Sequence, residues 1–116
     1  KTVLVNTHPD KYITEVVNYV NKNYSEDVTL EALSKKMNFS LSYLSIVFKR
    51  QMAMTFSEYL RKVRIEAGCR LLIHSNKSIW EIAGDVGYND VRSFRTHFKN
   101  RYNVTPLKFR KIFVRY

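Results

Sequence analysis

The sequence predicts an all-α fold, because apolar residues recur at helical spacing along most of the chain. The 116 residues include only three Gly and two Pro, whereas turn-rich β folds use more of both. No stretch alternates polar and apolar residues for long enough to make a convincing strand. A hydrophobic content of 45% is sufficient for a core, so we expect one domain or two small lobes that share a helix.

Three helices are predicted in the first half of the chain from their start signals. Asp10 is the predicted N-cap of a helix near 11–24, and Thr29 caps a helix near 30–37. The sequence "NFS" then turns the chain into a third helix near 41–51. The residues predicted to face inward are Ile13, Val16, Val17, Val20, Leu30, Leu33, Met37, Leu41, Leu44 and Phe48.

Four more helices are predicted in the second half. The capping boxes "TFSE" at 55–58 and "SIWE" at 78–81 open helices that end near residues 74 and 86. Gly87 turns the chain into a helix within 90–102, and Pro106 starts the last helix at its favoured first position. The predicted organisation is a leader or interdomain linker at 1–10, a first subdomain at 11–55, a linker helix at 56–74 and a second subdomain at 75–116.

The two subdomains are predicted to be copies of one unit. A shift of 49 residues aligns the apolar positions of helix 30–37 with those of helix 79–86, and a shift of 50 aligns the helices that follow. Asn38 then meets Gly87, and these residue types tolerate positive φ best. Two short helices joined by such a turn form a helix-turn-helix. We therefore predict two helix-turn-helix subdomains, with about seven helices in all, joined by a long linker helix.

The charge of the chain favours a polyanionic partner. The formal net charge is +10 and the isoelectric point is about 9.9. After Asp90 no acidic residue occurs, while eight Lys and Arg residues follow, including Arg101 and Arg110. A solvated face usually mixes both signs, so this run favours a docking surface. Cys69 is the only cysteine, which excludes an internal disulfide, and the sequence contains neither a membrane span nor a signal peptide.

The second helix of each copy is predicted to expose one polar face. In a helix-turn-helix this helix lies in the major groove and presents side chains to the bases. Phe94, Phe98 and Tyr102 face inward in the second copy, which leaves Arg92, Arg95 and Thr96 outside. The first copy exposes Ser42, Ser45 and Ile46 in the same way. Phosphate contacts are predicted from Lys49, Arg50 and Lys99, and from the helix N-terminal ends at Thr29 and Ser78.

The length of the linker helix fits this prediction. A helix over 56–74 is about 28 Å long at 1.5 Å per residue. Two major-groove segments on one face of DNA lie about 34 Å apart. With the thickness of the lobes added, both reading helices can enter successive grooves.

Two stretches resemble the DNA-binding region of the AraC/XylS family of bacterial transcription regulators. The second stretch, "SIWEIAGDVGYNDVRSFRTHFKNRYNVTPLKFRK", carries the spacing I-x-x-I-A-x-x-V-G-[FY], F-x-x-x-F-K and T-P-x-x-[FY]-R. The resemblance implies two helix-turn-helix lobes on an asymmetric promoter site, usually with activation of transcription. The base-facing positions that it implies are Ser42, Ser45, Ile46, Val91, Arg92, Arg95 and Thr96, although helical periodicity puts Val91 nearer the buried side.

The chain departs from the family pattern at three positions. Ala53 and Asn103 occupy positions where Gly is usual, and Ala53 implies either strain or a shifted turn. Gly68 replaces the usual Ala in the linker helix, at a cost of roughly 1 kcal/mol. Family members also carry a domain that senses a ligand, dimerises or receives a phosphoryl group. We therefore expect an output domain excised from a longer bacterial, cytoplasmic regulator associated with the nucleoid.

Other function classes have weaker support in the sequence. His8, His74 and His97 lack metal-ligand spacing and Cys69 has no companion His, so we predict neither catalysis nor a metal or other cofactor. Membrane-surface binding needs a wide apolar face on a basic helix, and RNA binding needs an exposed aromatic platform. The sequence predicts neither feature. Trp80 is expected to pack on a helix end rather than to contact a partner such as RNA polymerase. Tyr43 either touches a phosphate or covers Leu44.

Overall fold

The structure is a computed structural model that describes residues 9–113, with side chains from residue 11 onward. Within this range it contains helices and no strand, which confirms the predicted fold class. The seven helices are α1 (Pro9–Asn23), α2 (Leu30–Met37), α3 (Leu41–Met52), α4 (Phe56–His74), α5 (Ile79–Asp85), α6 (Val91–Tyr102) and α7 (Pro106–Phe113). Most of the predicted leader, residues 1–8, lies outside the described residues.

Side-chain caps start most of these helices. The predicted cap at Thr29 is present, with its hydroxyl accepting from the Ala32 amide at 3.1 Å. Both predicted capping boxes also form, at the starts of α4 and α5. Two further caps went unrecognised in the sequence: Ser40 accepts from the Tyr43 amide at 3.1 Å, and Asp90 accepts from the Ser93 amide at 2.7 Å.

The predicted cap of the first helix was wrong. Helix α1 begins at Pro9, two residues before the predicted start, so Asp10 lies inside its first turn. Proline suits this position because a first-turn amide has no partner within the helix. The sequence pattern was misread because Asp10 follows a proline that is itself helical.

The chain divides into two compact units. The first unit ends at Leu60 and contains α1, α2, α3 and the start of α4. The second unit begins at Arg61 and contains the rest of α4 with α5, α6 and α7. The division falls inside the helix that the sequence predicts as a linker, so residues of α4 contribute to both units.

The internal repeat is visible in the backbone of the two units. Asn38 and Gly87 both have positive φ, at 66° and 106°. At each turn an amide bonds back five residues, from Phe39 to the Ser34 carbonyl and from Tyr88 to the Ala83 carbonyl, both at 2.9 Å. These turns occupy positions 49 residues apart, which confirms the alignment made from the sequence.

A second matched pair of turns follows α3 and α6. Ala53 has a φ of 61° and Asn103 a φ of 65°, both in the left-handed region. Each amide bonds to the carbonyl four residues earlier, at Lys49 and Lys99. Asparagine adopts this conformation readily, whereas alanine adopts it at a steric cost. The predicted strain at Ala53 is therefore present in the structure.

Each unit has its own core. Leu44 and Phe48 are buried in the first unit, and their counterparts Phe94 and Phe98 are buried in the second. Leu41, predicted to face inward, is the first residue of α3 and is 44% exposed, whereas Val47 in the middle of the helix is buried. Among the other inner positions, the buried ones are Ile13, Val16, Val20, Leu30 and Leu33, while Val17 and Met37 are half-buried.

Gly68 is explained by the size of Phe94. A Cβ atom at residue 68 would lie 2.7 Å from Cε1 and 2.9 Å from Cζ of the Phe94 ring. Such distances are shorter than carbon atoms can approach, so a glycine in α4 lets the ring of α6 pack against the helix backbone. The intrinsic loss of helix stability at Gly68 is thus offset by the burial of a large aromatic side chain.

Candidate nucleic-acid interface

Helix α6 separates an aromatic face from a basic face. Phe94 and Phe98 are completely buried, and this orients the helix so that the opposite face points to solvent. The exposed side chains of this reading face of α6 are Arg92, Arg95, Thr96 and Lys99. In the part of the chain that the structure describes, no side-chain hydrogen bond or ion pair occupies the two arginines or the lysine. Their cationic groups are available to an external anion or acceptor.

Helix α3 presents the matching face in the first unit. Its reading face consists of Ser42, Ser45, Ile46 and Lys49, all of which are exposed. Ile46 has 57% of its surface exposed, so its side chain is open to an external apolar group. Arg50, next to this face, is also exposed. The face offers hydroxyl groups and one apolar contact where α6 offers guanidinium groups.

Val91 lies at the margin of the α6 reading face. It is half-buried, which agrees with the helical periodicity that placed it nearer the inner side. Asp90 precedes it and its carboxylate accepts from both the amide and the hydroxyl of Ser93, at 2.7 and 3.2 Å. The hydrogen bond from the Ser93 amide is the main reason that the pKa of Asp90 is lowered. The cap therefore stays ionised while it holds the start of α6.

Two arginines of the basic run have structural roles. Arg101 forms an ion pair with Glu66 at 2.7 Å. The guanidinium of Arg110 donates to the carbonyls of Leu72, Ser75 and Lys77, at 3.0, 3.2 and 2.7 Å. Arg110 thus satisfies carbonyl groups at and beyond the end of α4, where no helical partner exists. The assignment of the whole run to a docking surface was wrong for Arg110, whereas Arg101 stays exposed beside Glu66.

A tyrosine and a histidine pack together on the inner side of α6. Tyr88 Oη lies 2.8 Å from Nδ1 of His97, and the two rings are 5.5 Å apart. Burial raises the pKa of Tyr88 to about 12, so its hydroxyl stays protonated. Burial, with the charge of Arg61, lowers the pKa of His97. The pair is therefore neutral near pH 7 and supports the helix rather than its basic face.

Trp80 is exposed, contrary to the prediction that it packs on a helix end. It has 73% of its surface in solvent. Ile82, Ala83 and Val86 fill the inner side of α5, and Trp80 lies outside their stripe. The spacing of those apolar residues predicts an exposed position for Trp80, whereas its hydrophobic character alone predicts a buried one. Tyr43 is 40% exposed and its ring lies 5.3 Å from that of Phe39.

The two helix N-terminal ends predicted to contact phosphate differ in how many of their main-chain amides already bond to side chains. At Thr29 the hydroxyl accepts from a single amide, that of Ala32. At Ser78 the capping box is complete, and the Glu81 carboxylate accepts from the Ser78 amide at 2.9 Å. A carboxylate at this position already balances the positive end of the helix dipole.

Two further properties bear on the function class. None of the helices between residues 9 and 113 combines the length and the apolar character needed to cross a membrane. Over the same residues, no group of three or more His, Cys, Asp or Glu side chains is placed to hold a metal ion.

Sequence relatives of this chain include proteins named as transcription regulators. Residues 33–112 match the family described as "Helix-turn-helix domain". The chain is 32% identical over 106 residues to the Msm operon regulatory protein of Streptococcus mutans, covering 91% of this chain and 38% of that protein. It is 34% identical over 105 residues to the bifunctional transcriptional activator/DNA repair enzyme AdaA of Bacillus subtilis, covering 90% and 50%.

A solved structure of a domain from a response regulator is also similar to this chain. The C-terminal domain of AraT, a response regulator from Geobacillus stearothermophilus, is 33% identical, with a TM-score of 0.84. The match covers 87% of this chain and 84% of that one. The chain belongs to the helix-turn-helix domain family of the AraC/XylS type and is a DNA-binding domain of a transcription regulator. It spans about 38% and 50% of the length of the two curated relatives described above.

Proposed function

We propose that this chain is the DNA-reading output domain of a longer bacterial transcription regulator, and that it binds double-stranded promoter DNA sequence-specifically. The arrangement of α6 carries the proposal. Two fully buried phenylalanines hold the helix while two unpaired arginines, a threonine and a lysine face solvent together. A helix presented in this way by a helix-turn-helix fits the major groove.

The base contacts are proposed from both reading faces. Arg92 and Arg95 donate bidentate hydrogen bonds to guanine O6 and N7, the commonest specific contact of arginine. Thr96 contacts a base or a phosphate, and Val91 contacts a base edge from the margin of the face. In the first unit Ile46 packs on a thymine methyl group, while the hydroxyls of Ser42 and Ser45 bond to either bases or phosphates.

The phosphate contacts come from cations one turn further along each helix. Lys49 and Arg50 flank the α3 face, and Lys99 ends the α6 face, all exposed. Main-chain amides at the start of α2, beside Thr29, add a contact supported by the helix dipole. We propose a smaller contribution at Ser78, because the Glu81 carboxylate already lies at that helix end.

The two reading helices are proposed to enter successive major grooves. Helix α4 has 19 residues, hence a length of about 28 Å, which approaches the repeat of about 34 Å between groove segments. Insertion of five base pairs between the two half-sites turns one half-site to the opposite side of the duplex. The proposal predicts that this insertion abolishes joint binding, whereas unchanged affinity would exclude simultaneous reading.

The remaining properties of the intact protein follow from this role. The domain is proposed to act by binding, without catalysis or a cofactor. The name of AdaA includes a DNA repair activity, but this chain matches only 50% of that protein, so the activity is not carried over. Its proposed partners are promoter DNA, RNA polymerase and a sensory, receiver or dimerisation domain in the same polypeptide. Its proposed location is the bacterial cytoplasm, on the nucleoid.

Selection of bound duplexes from a random pool, followed by affinity measurements across salt concentrations, tests the proposal. The selected duplex is expected to bind more tightly than a scrambled duplex of equal length at every salt concentration. Log affinity is expected to fall with log salt by about 0.9 per phosphate contacted. Equal affinities for selected and scrambled duplexes would contradict sequence-specific binding.

Two control ligands separate this function from its rivals. Double-stranded RNA of the selected sequence should bind weakly, because its major groove is too narrow to admit a helix. Vesicles of anionic lipid should compete poorly with the selected duplex, since Phe94 and Phe98 of α6 are buried in the core. Tighter binding to either ligand than to the selected DNA would refute the proposal.

A further inference from the structure

A groove runs along the second unit between α5 and the first half of α6. Its main lining residues are Trp80, Gly84, Asn89, Asp90, Arg92 and Arg95. Its volume is about 680 Å³, within the range of about 300–1,000 Å³ that accommodates small organic groups. The two arginines line this groove and also belong to the reading face of α6, so the groove is continuous with the proposed DNA-binding surface.

Trp80 forms an apolar wall of this groove, which is named the Trp80 groove. Tryptophan is buried on average in folded proteins, yet here 73% of the residue is exposed. An indole combines a large apolar face with one N–H donor, and such groups are favoured where a partner is partly apolar and partly polar. Exposure of this side chain beside two cations indicates a contact surface.

Gly84, one helical turn after Trp80, leaves the floor of the groove open. A Cβ atom at this position would meet nothing within 4 Å, so packing does not require glycine, in contrast to Gly68. Its backbone does not have positive φ either. Glycine inside a helix lowers its stability relative to alanine, and close approach of a ligand to the backbone is one benefit that offsets this loss.

The first unit shows that the fold does not require this groove. The positions equivalent to Trp80 and Gly84 under the 49-residue shift are Glu31 and Lys35, both charged and exposed. The two units share their turns and caps but differ here. The apolar wall and the open floor are therefore features of the second unit alone.

The charges around the groove select an anionic occupant. Asp90 is engaged in capping α6, Asp85 forms an ion pair with Lys77, and Glu81 is engaged in the capping box of α5. These carboxylates are satisfied within the unit. Among the residues that line the groove itself, Arg92 and Arg95 are cations and Asp90 is the anion, which leaves one positive charge in excess beside the indole.

We infer that the Trp80 groove takes the sugar-phosphate backbone of one DNA strand, next to the base pairs that α6 reads. The indole of Trp80 packs on a deoxyribose and its N–H donates to a phosphate oxygen, while Gly84 leaves room for the strand. A deoxyribose-phosphate chain matches the groove because it is apolar at the sugar and anionic at the phosphate. This inference rests on the proposed function and adds a positioning contact to it.

Fluorescence provides a direct test, because Trp80 is the only tryptophan in the chain. The anisotropy of a labelled selected duplex establishes saturation, and acrylamide quenching of Trp80 is then measured with and without the duplex. Quenching is expected to fall clearly in the saturated complex. Unchanged quenching with the duplex fully bound would overturn the inference and leave the proposed function intact. Failure to prefer any duplex would instead refute the proposed function.

Variants extend the test to affinity. Trp80→Ala is expected to weaken binding about tenfold, equivalent to about 1.4 kcal/mol, with a partial loss for Trp80→Phe, which keeps a ring but lacks the N–H. Gly84→Glu, which puts a carboxylate into the open floor, is expected to weaken binding as well. The matched control is Leu107→Ala, since Leu107 is 53% exposed on α7 away from the groove and should not matter.

One outcome would assign the groove to a different partner. If Trp80→Ala and Gly84→Glu retained full affinity for DNA but lost promoter activation in cells, the strand contact would be overturned. A protein partner would then explain the exposed indole. Circular dichroism of each variant checks that the helices are intact, which is expected because both positions are at the surface.

Discussion

The two helix-turn-helix units have the same turns and caps but different chemistry on their exposed faces. Asn38 and Gly87 form equivalent turns with positive φ, and Ser40 and Asp90 cap the two reading helices in the same way. The α3 face has one cation, Lys49, whereas the α6 face has three. The repeated features are those that shape the backbone, and the variable ones face solvent. Duplication has preserved the scaffold and allowed each unit its own contacts.

The largest expected contrast is in sequence reading. Arg92→Ala should weaken binding to the selected duplex by about 1–3 kcal/mol and relax the preference at one base pair. Ser42→Ala, its counterpart in the first unit, should cost only about 0.5–1.5 kcal/mol, as for a neutral hydrogen bond. Anisotropy titrations with single-base variants of the duplex measure both effects. Equal losses on every duplex for Arg92→Ala would mean that Arg92 contacts phosphate. Such equal losses are the expected result for Lys99→Ala.

The second contrast concerns the two glycines that lie within helices. Gly68→Ala should destabilise the protein by about 1–3 kcal/mol, because the added methyl group overpacks the core at the contact with Phe94. Gly84→Ala should raise stability by about 0.5–1 kcal/mol, because its Cβ enters open space. Urea unfolding followed by circular dichroism measures both. Stabilisation by Gly68→Ala would show that Phe94 does not depend on the glycine.

The Phe94→Leu substitution sharpens this test, since the first unit carries Leu44 at the equivalent position. Combined with Gly68→Ala, it should recover part of the lost stability. Additive losses in the double variant would indicate that the two residues are not coupled.

The third contrast compares the left-handed residues after the two reading helices. Ala53→Gly should stabilise the protein by about 0.5–1 kcal/mol, because glycine adopts positive φ without a Cβ clash. Asn103→Gly should change little, since asparagine already tolerates this region. Thermal unfolding of both variants provides the measurement. A destabilised Ala53→Gly variant would mean that the added freedom of the unfolded chain exceeds the strain relieved.

The smallest expected effect is a pH dependence confined to the second unit. Burial, followed by the charge of Arg61, lowers the pKa of His97 below its ordinary value of 6.5. The unfolded chain therefore takes up the proton more readily, so the free energy of unfolding should fall as the pH drops below 6.5. His97→Gln should flatten this dependence, whereas His74→Gln, at an exposed position, serves as the control. An unchanged pH profile in His97→Gln would contradict the assignment.

Much of the site was predictable because buried aromatic residues determine how a helix is oriented. The spacing of Phe94 and Phe98 by itself places Arg92, Arg95 and Thr96 on the outer side of the helix. The structural role of Arg110 could not be predicted, because it depends on three backbone carbonyls at residues 72–77, whose positions the local sequence does not show. Leu41 fits the apolar spacing but is the first residue of α3, and spacing alone does not show how far a helix end reaches into the core.

The sequence by itself determined the helices, the repeat, the left-handed turns and the residues on the reading faces. These features depend on local spacing, capping side chains and backbone sterics, which act within a few residues. Only the tertiary structure decided that Gly68 accommodates Phe94, that Arg110 satisfies the end of α4, and that Trp80 borders an open groove. Each of these depends on contacts between residues distant in sequence, whose distances are set when the cores pack.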